Sequence, residues 1–230
     1  MSVFSNDGIK TWLTKLDRIG ELSAGRGDMV FNNLGHIINN DLLKEIYNNL
    51  DGKKAIGVDK VTKDAYGVNL DENIMCLLSR IRRGTYKPKP ARITEIPKED
   101  GSTRPLAISY FEDKLVQLAI STILGRIYEP LFLDSSYGFR PELGCHDAIK
   151  SLNKATFKNW KGAVVEIDIK KYFNRIPYKD IMRFLNHKIS DKRFLRLISV
   201  LVTMPIIEGK EATRNTIGCP HRFNCFTHFS

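Results

Sequence analysis

The chain of 230 residues is long enough to bury a self-sufficient core in one or two domains. Apolar residues at 42% and aromatics at 10% exclude a disordered polymer, and four cysteines exclude a disulfide scaffold and leave reduced thiols as the default. Thirty-six Lys and Arg against 26 Asp and Glu, a formal net charge of +10, point to a polyanionic partner, most often nucleic acid; the plain alternative is a merely basic soluble protein.

The N-terminal third is predicted helical. Ile9, Trp12, Leu13, Leu16, Ile19 and Leu22 follow helical spacing over 9–24, and the pattern continues over 28–50 through Leu34, Ile37, Ile38, Leu42, Leu43, Ile46, Tyr47 and Leu50. Asp51-Gly52 breaks it, and Gly57-Val58-Asp59-Lys60-Val61-Thr62 reads as a loop. Leu70 to Arg83 is a further amphipathic helix that Gly84 ends and that Pro88 and Pro90 forbid to continue. The period then changes to two. Arg92–Pro97 and Thr103–Ile108 alternate around Asp100-Gly101, a hairpin signal. Helices follow over Asp113–Tyr128 and Glu142–Phe157, separated by the turn Ser135-Ser136-Tyr137-Gly138. Ala163–Ile169 is the strongest predicted strand, and Tyr178–Ile189 and Arg193–Val202 are predicted helices. The sum is a mixed α+β chain with few strands. The longest apolar stretch, Leu197 to Ile207, is short of the ~18–20 residues of a membrane span, and no secretory leader pattern opens the chain.

Two features carry chemistry. Arg80, Arg82, Arg83, Lys87, Lys89, Arg92 and Lys98 crowd one stretch in which only Glu95 opposes them, with Tyr86, Pro88 and Pro90 between. Such a run contacts phosphates through charge, although a charge run is more often only a solvated face. Lys98 at a strand end and Arg104 at the start of the returning strand add cations on a hairpin, which suits a triphosphate. Asp168 closes the predicted strand and is a natural Mg²⁺ ligand, whereas an isolated Asp there more often caps the next turn. Asp180 and Asp191 lie in helical contexts and offer it no obvious partner, so these residues alone leave the chemistry open.

In this order the blocks resemble the reverse transcriptases encoded by group II introns. Gly57–Thr62 looks like the family's N-terminal extension motif. Gly84–Pro88 and Ile96–Leu106 look like its fingers hairpin. Asp113-Lys114-Leu115-Val116-Gln117 opens the next block, and Ser136-Tyr137-Gly138-Phe139-Arg140-Pro141, with His146 and Ala148, closes it. Glu166–Phe173 looks like the first palm motif. The resemblance implies a right-hand polymerase fold: N-terminal helices over 1–83, fingers over 84–160, a partial palm over 161–218 and an out-of-frame tail over 219–230. It implies RNA-directed DNA synthesis by a mobile element, with intron RNA as template, a primer, a DNA target and dNTPs as partners, and with dimerisation of the full-length form. Asp168 is then the catalytic, Mg²⁺-binding aspartate and the Ile169 carbonyl a second metal contact. Arg92, Lys98 and Arg104 hold the incoming triphosphate, and Phe173 stacks under the sugar and excludes a 2′-hydroxyl. Arg80, Arg82, Arg83, Lys87 and Lys89 contact RNA, and Ser136–Pro141 supports the fingers against the palm. A bacterial cytoplasm or an organelle is the expected location.

After Gly218-Cys219-Pro220 the resemblance stops. The family continues with a Gln-Gly motif ending Ser-Pro-x-Leu-Ala-Asn and then a Tyr-Ala-Asp-Asp turn, where two more metal-binding carboxylates sit. This chain continues instead as His221–Ser230. Cys219, His221, Cys225 and His228 do not have the spacing of a zinc finger. Codons for Arg222–Ser230 read one nucleotide later permit Gly-Ser-Ile-Val-Ser-Pro-Ile-Leu, so a single inserted pyrimidine is the expected origin of the tail. The expectation is a polypeptide truncated before its second metal-binding motif and inactive alone. The alternatives are a non-catalytic, maturase-like RNA-binding fragment or a decayed gene product.

Overall fold

The computed structural model describes residues 11–52, 55–97, 101–158, 160–169, 175–208 and 211–214. Helices dominate: α1 (Thr11–Gly25), α2 (Asn40–Asn49), the short α3 (Lys63–Gly67), α4 (Leu70–Arg82), α5 (Phe111–Tyr128), α6 (Cys145–Lys158), α7 (Tyr178–Asn186) and α8 (Lys192–Val202). One sheet runs in the order β2-β1-β3-β4, built from β1 (Ala91–Pro97), β2 (Thr103–Ile108), β3 (Pro205–Glu208) and β4 (Glu211–Arg214). The hairpin β1–β2 pairs from Arg92 opposite Ile108 to Pro97 opposite Thr103. Strand β3 joins β1 in parallel at Ala91 and Arg92, so a segment more than a hundred residues downstream anchors the base of the hairpin.

Helix α5 is the spine of the core. Leu115, Val116, Ala119, Ile120, Ile123 and Ile127 are fully buried, and apolar side chains occupy nearly its whole circumference, which only a helix enclosed by others tolerates. It packs against α1 and α2. Each fully buried Leu or Ile here is worth roughly 1.5–3 kcal/mol of transfer free energy. Two of the polar groups enclosed with it are paired: Gln117 Nε2 donates to Ser109 Oγ at 3.0 Å, and Ser23 Oγ donates to the Ile127 carbonyl at 2.6 Å.

A second organising point is Asp191, the N-cap of α8. Its Oδ1 accepts from the backbone N–H of Arg193 and Phe194, both at 3.0 Å, while its Oδ2 accepts from Leu34 at 2.7 Å and Gly35 at 3.0 Å. One carboxylate thus closes a helix end and fastens it to the loop before α2. Burial alone would raise its pKa, but the four backbone N–H bonds outweigh that and hold it below the usual carboxylate range.

Three departures from the sequence reading have physical causes. The helix predicted over 28–50 is interrupted: Asn33 sits at φ +54°, Gly35–Ile37 makes a single 3-10 turn, and Asn39 starts α2 by accepting the Leu42 N–H at 2.9 Å. The helix predicted from Glu142 starts at Cys145, because Glu142 itself takes φ +60° and Asp147 draws the Gly144 N–H into a turn at 3.1 Å. The strand predicted over 163–169 is not formed: no described strand pairs with it, and Val164, Val165 and Ile167 are 74–83% exposed. A β-prone run becomes a strand only when neighbours take its N–H and C=O groups. Helix α6 buries no residue, and Ile149 and Leu152 on it are exposed.

Candidate functional site

The predicted basic stretch begins where α4 ends. Gly84 takes φ +69°, its N–H returns to the Ile81 carbonyl and that of Thr85 to the Arg80 carbonyl, both at 3.0 Å. This paired capping pattern needs a left-handed residue, which glycine supplies without a Cβ clash. The chain then runs without regular structure to β1. Tyr86 turns inward and is 4% exposed, whereas Arg82, Arg83, Lys87 and Lys89 are exposed.

The connection is fastened to the start of α5. The Tyr86 hydroxyl donates to Asp113 Oδ1, and the Lys89 backbone N–H donates to Asp113 Oδ2 at 3.0 Å. Burial pushes the Asp113 carboxyl up to about 6 against the opposing pull of those two hydrogen bonds, and burial with the neighbouring carboxylate drives the Tyr86 phenol well above its ordinary value. One residue earlier, Glu112 binds the Arg80 guanidinium at 2.5 Å and accepts from the Tyr66 hydroxyl at 3.3 Å. The Lys89 ammonium lies 5.0 Å from the centre of the Tyr110 ring.

Tyr66, Arg80, Lys89, Tyr110, Glu112 and Asp113 line a cleft of about 340 Å³, whose walls also include Asp59, Val61 and Lys87. Asp59 belongs to the loop 55–62. Gly57 brings this loop so close to the chain before α5 that an added Cβ would lie 2.8 Å from the Ser109 carbonyl oxygen and 3.1 Å from Tyr110 Cα. The Arg92 guanidinium donates to the Ile56 carbonyl at 3.4 Å and the Lys114 ammonium to that of Ala55 at 2.6 Å. The loop, the basic connection and the start of α5 therefore meet at one place.

The other predicted site residues are distributed differently. Arg80 is held in an internal ion pair, with side-chain exposures of 34% and 27% for Arg80 and Glu112, rather than standing on an open face like Lys87. Arg104 lies opposite Ile96, four positions along β1 from Arg92, so their backbones are separated by about 13 Å along the strand. Lys98 and Phe173 lie outside the described residues, as does the tail 219–230 with Cys219, His221, Cys225 and His228. Asp168 and Ile169 are exposed. Among the described residues no three His, Cys, Asp or Glu side chains stand together. The described carboxylates do not by themselves make up a two-Mg²⁺ site. None of the described helices is long and apolar enough to cross a membrane.

Arg140 of the motif Ser136–Pro141 has a supporting role in its own turn. Its Nε meets Glu129 at 2.8 Å and its Nη1 donates to the carbonyls of Leu133 at 3.0 Å and Ser136 at 2.8 Å. Tyr86, Glu112 and Asp113 escaped the sequence reading as site residues. The available signals were an aromatic inside a basic run and two acids in the first turn of α5, where the helix dipole favours them.

Residues 96–220 match the family model described as reverse transcriptase (RNA-dependent DNA polymerase). The chain is 32% identical over 216 residues to the group II intron-encoded protein LtrA of Lactococcus lactis subsp. cremoris, covering 92% of this chain and 35% of that protein. It is 32% identical over 219 residues to a 91 kDa protein in the cob intron of Schizosaccharomyces pombe, covering 92% of this chain and 26% of that one. Protein YkfC of Escherichia coli K12 is 35% identical over 153 residues, covering 64% of this chain and 39% of YkfC. The chain thus spans about a third of the length of the curated relatives it matches.

Proposed function

The chain belongs to the reverse transcriptase (RNA-dependent DNA polymerase) family, and from that premise we propose that it is the RNA-holding part of a group II intron-type reverse transcriptase. It grips the phosphate backbone of intron RNA along the connection between α4 and β1. The observation that carries this reading is the exposure of Arg82, Arg83, Lys87 and Lys89 on one short segment whose neighbours Tyr86 and Arg80 are tied to α5. Cations on a fixed frame neutralise successive phosphates and release counterions, which makes binding salt-dependent and largely independent of sequence.

DNA synthesis on an RNA template is the reaction of the family, and the resemblance extends the proposal to roles in it. Arg92, Lys98 and Arg104 contact the triphosphate of a dNTP, Phe173 the sugar, and Asp168 with the Ile169 carbonyl a Mg²⁺ ion. Residues 84–160 act as the fingers and 161–218 as part of the palm. The activity proposed on the described residues is RNA binding, with the polymerase roles resting on the resemblance alone. The setting proposed is that of its relatives' introns, a bacterial cytoplasm or an organelle.

The test pairs two assays on the same protein. Fluorescence anisotropy with a labelled single-stranded RNA is expected to show binding that weakens steeply with salt, and a primer-extension assay with dNTPs and Mg²⁺ reads the polymerase roles separately. Absence of salt-sensitive binding rejects the RNA-holding role. Primer extension abolished by Asp168→Ala moves the assignment from holding RNA to polymerisation.

A further inference from the structure

We propose that Asp113 is a positioning residue for RNA binding: its carboxylate pins the stretch Tyr86–Lys89 so that the Lys87 and Lys89 ammonium groups stand ready at the mouth of the cleft. This rests on the RNA-holding role proposed above.

The geometry is specific. Asp113 is 3% exposed on the first turn of α5, and both its oxygens are used by one short segment, Oδ1 by the Tyr86 hydroxyl and Oδ2 by the Lys89 N–H. That segment is poorly able to fix itself. Pro88 and Pro90 carry no N–H, so the Lys89 amide is the one backbone donor between them, and it is spent on Asp113. Tyr86 is tied at its other end as well, its N–H reaching the Arg80 carbonyl at 3.1 Å. The groups facing the Asp113 carboxylate are Tyr86 and Lys89 from the connection, Glu112 from its own helix and Arg80, through Glu112, from α4. Lys87, Asp59 and Tyr66 complete the surrounding cleft. A lysine whose backbone is already placed loses less freedom when a phosphate arrives, so the carboxylate assists binding without touching RNA.

Simple electrostatics predicts the opposite sign. An ionised carboxylate near a polyanion repels it, so neutralising Asp113 would tighten binding. The positioning role predicts weaker binding, and the sign separates the two.

The experiment measures RNA affinity by anisotropy, with the same labelled single-stranded RNA, for the full chain and for Asp113→Asn, Tyr86→Phe and the pair Lys87→Ala with Lys89→Ala. Each variant is first checked for a cooperative thermal transition. Asp113→Asn is expected to weaken binding about fivefold and to speed exchange of the Lys89 amide proton; in the background lacking both lysines it is expected to change affinity little, because the effect travels through them. Tyr86→Phe keeps the ring and the carboxylate and serves if the Asn variant does not fold; it is expected to weaken binding in the same direction. Unchanged or tighter binding by the folded variants overturns the proposal, as does an equal loss in the lysine-free background. If the unaltered chain shows no salt-sensitive binding at all, the RNA-holding role falls and this one with it. If that binding is present and responds to the lysines but not to Asp113, only the positioning role falls.

Discussion

The guanidinium of Arg80 stands 2.5 Å from the carboxylate of Glu112, joining the end of α4 to the start of α5 on the wall of the cleft. A cation expected from the sequence to meet RNA is thus engaged within the protein. Arg80→Ala leaves the half-buried Glu112 without its cation, the Tyr66 hydroxyl remaining as a donor, and is expected to destabilise the fold by about 1–2 kcal/mol. Its RNA affinity, measured well below the melting temperature, is expected to fall less than that of Lys87→Ala. A larger fall for Arg80→Ala would put its guanidinium among the phosphate contacts.

Asp191 couples two distant segments, and its loss is expected to be felt in stability. Asp191→Ala removes a helix cap and two bonds to the loop at Leu34 and Gly35, costing about 2–3 kcal/mol. Its folded pKa is depressed, so the unfolded chain binds the proton more readily. The stability it supplies is present above the ordinary carboxylate pKa and is lost as pH falls through the lower folded value. Urea unfolding of the chain and of Asp191→Ala is expected to show a gap at neutral pH that narrows in acid; a gap independent of pH would contradict this.

Asp113 has the opposite sign. Its folded pKa is raised from 3.8 to about 6, so the folded chain binds the proton more readily. Its contribution to stability therefore declines as pH rises from 3.8 to about 6 and stays low above that. Relative to Asp113→Asn, the unaltered chain is expected to lose stability over that window, by at most about 3 kcal/mol. Equal slopes for the two proteins would show that the carboxyl does not titrate there.

Gly57 sets the distance between the loop and the cleft. An alanine there meets backbone at Ser109 and Tyr110, which cannot swing away as a side-chain end can. Gly57→Ala is expected to cost about 1–3 kcal/mol and to speed amide exchange at Lys60, whose N–H now reaches the Gly57 carbonyl at 3.1 Å. An unchanged exchange rate would mean that the loop is not held by this contact.

The parts legible in the sequence are those with local causes. Gly84 stops α4 because a left-handed residue is needed there, and the alternation on either side of Asp100-Gly101 marks the hairpin regardless of the rest of the fold. Apolar spacing misled where it ran on across Asn33 and Asn39, whose backbone and side chain break the helix. It misled again at 163–169, where β-prone residues have no described strand to pair with. The pair β3–β4 was missed because each strand is only four residues long. The tie between Tyr86 and Asp113 spans 27 positions and pairs a phenol with an acid, and no periodicity encodes such a contact. The family motifs, by contrast, were readable as blocks, and the family match over residues 96–220 spans those from Ile96 to Phe173.

The central claim is that exposed cations between α4 and β1 hold RNA by its phosphates. The most direct measurement is the slope of log affinity against log salt concentration for one single-stranded RNA, taken with the unaltered chain and with the Lys87→Ala, Lys89→Ala pair. Each phosphate contact removed is expected to lower the magnitude of the slope by about 0.7, so the double substitution is expected to flatten it by about 1.4 while weakening binding similarly for RNAs of different sequence. A slope left unchanged by the loss of both lysines would place the RNA elsewhere on the protein and contradict the account.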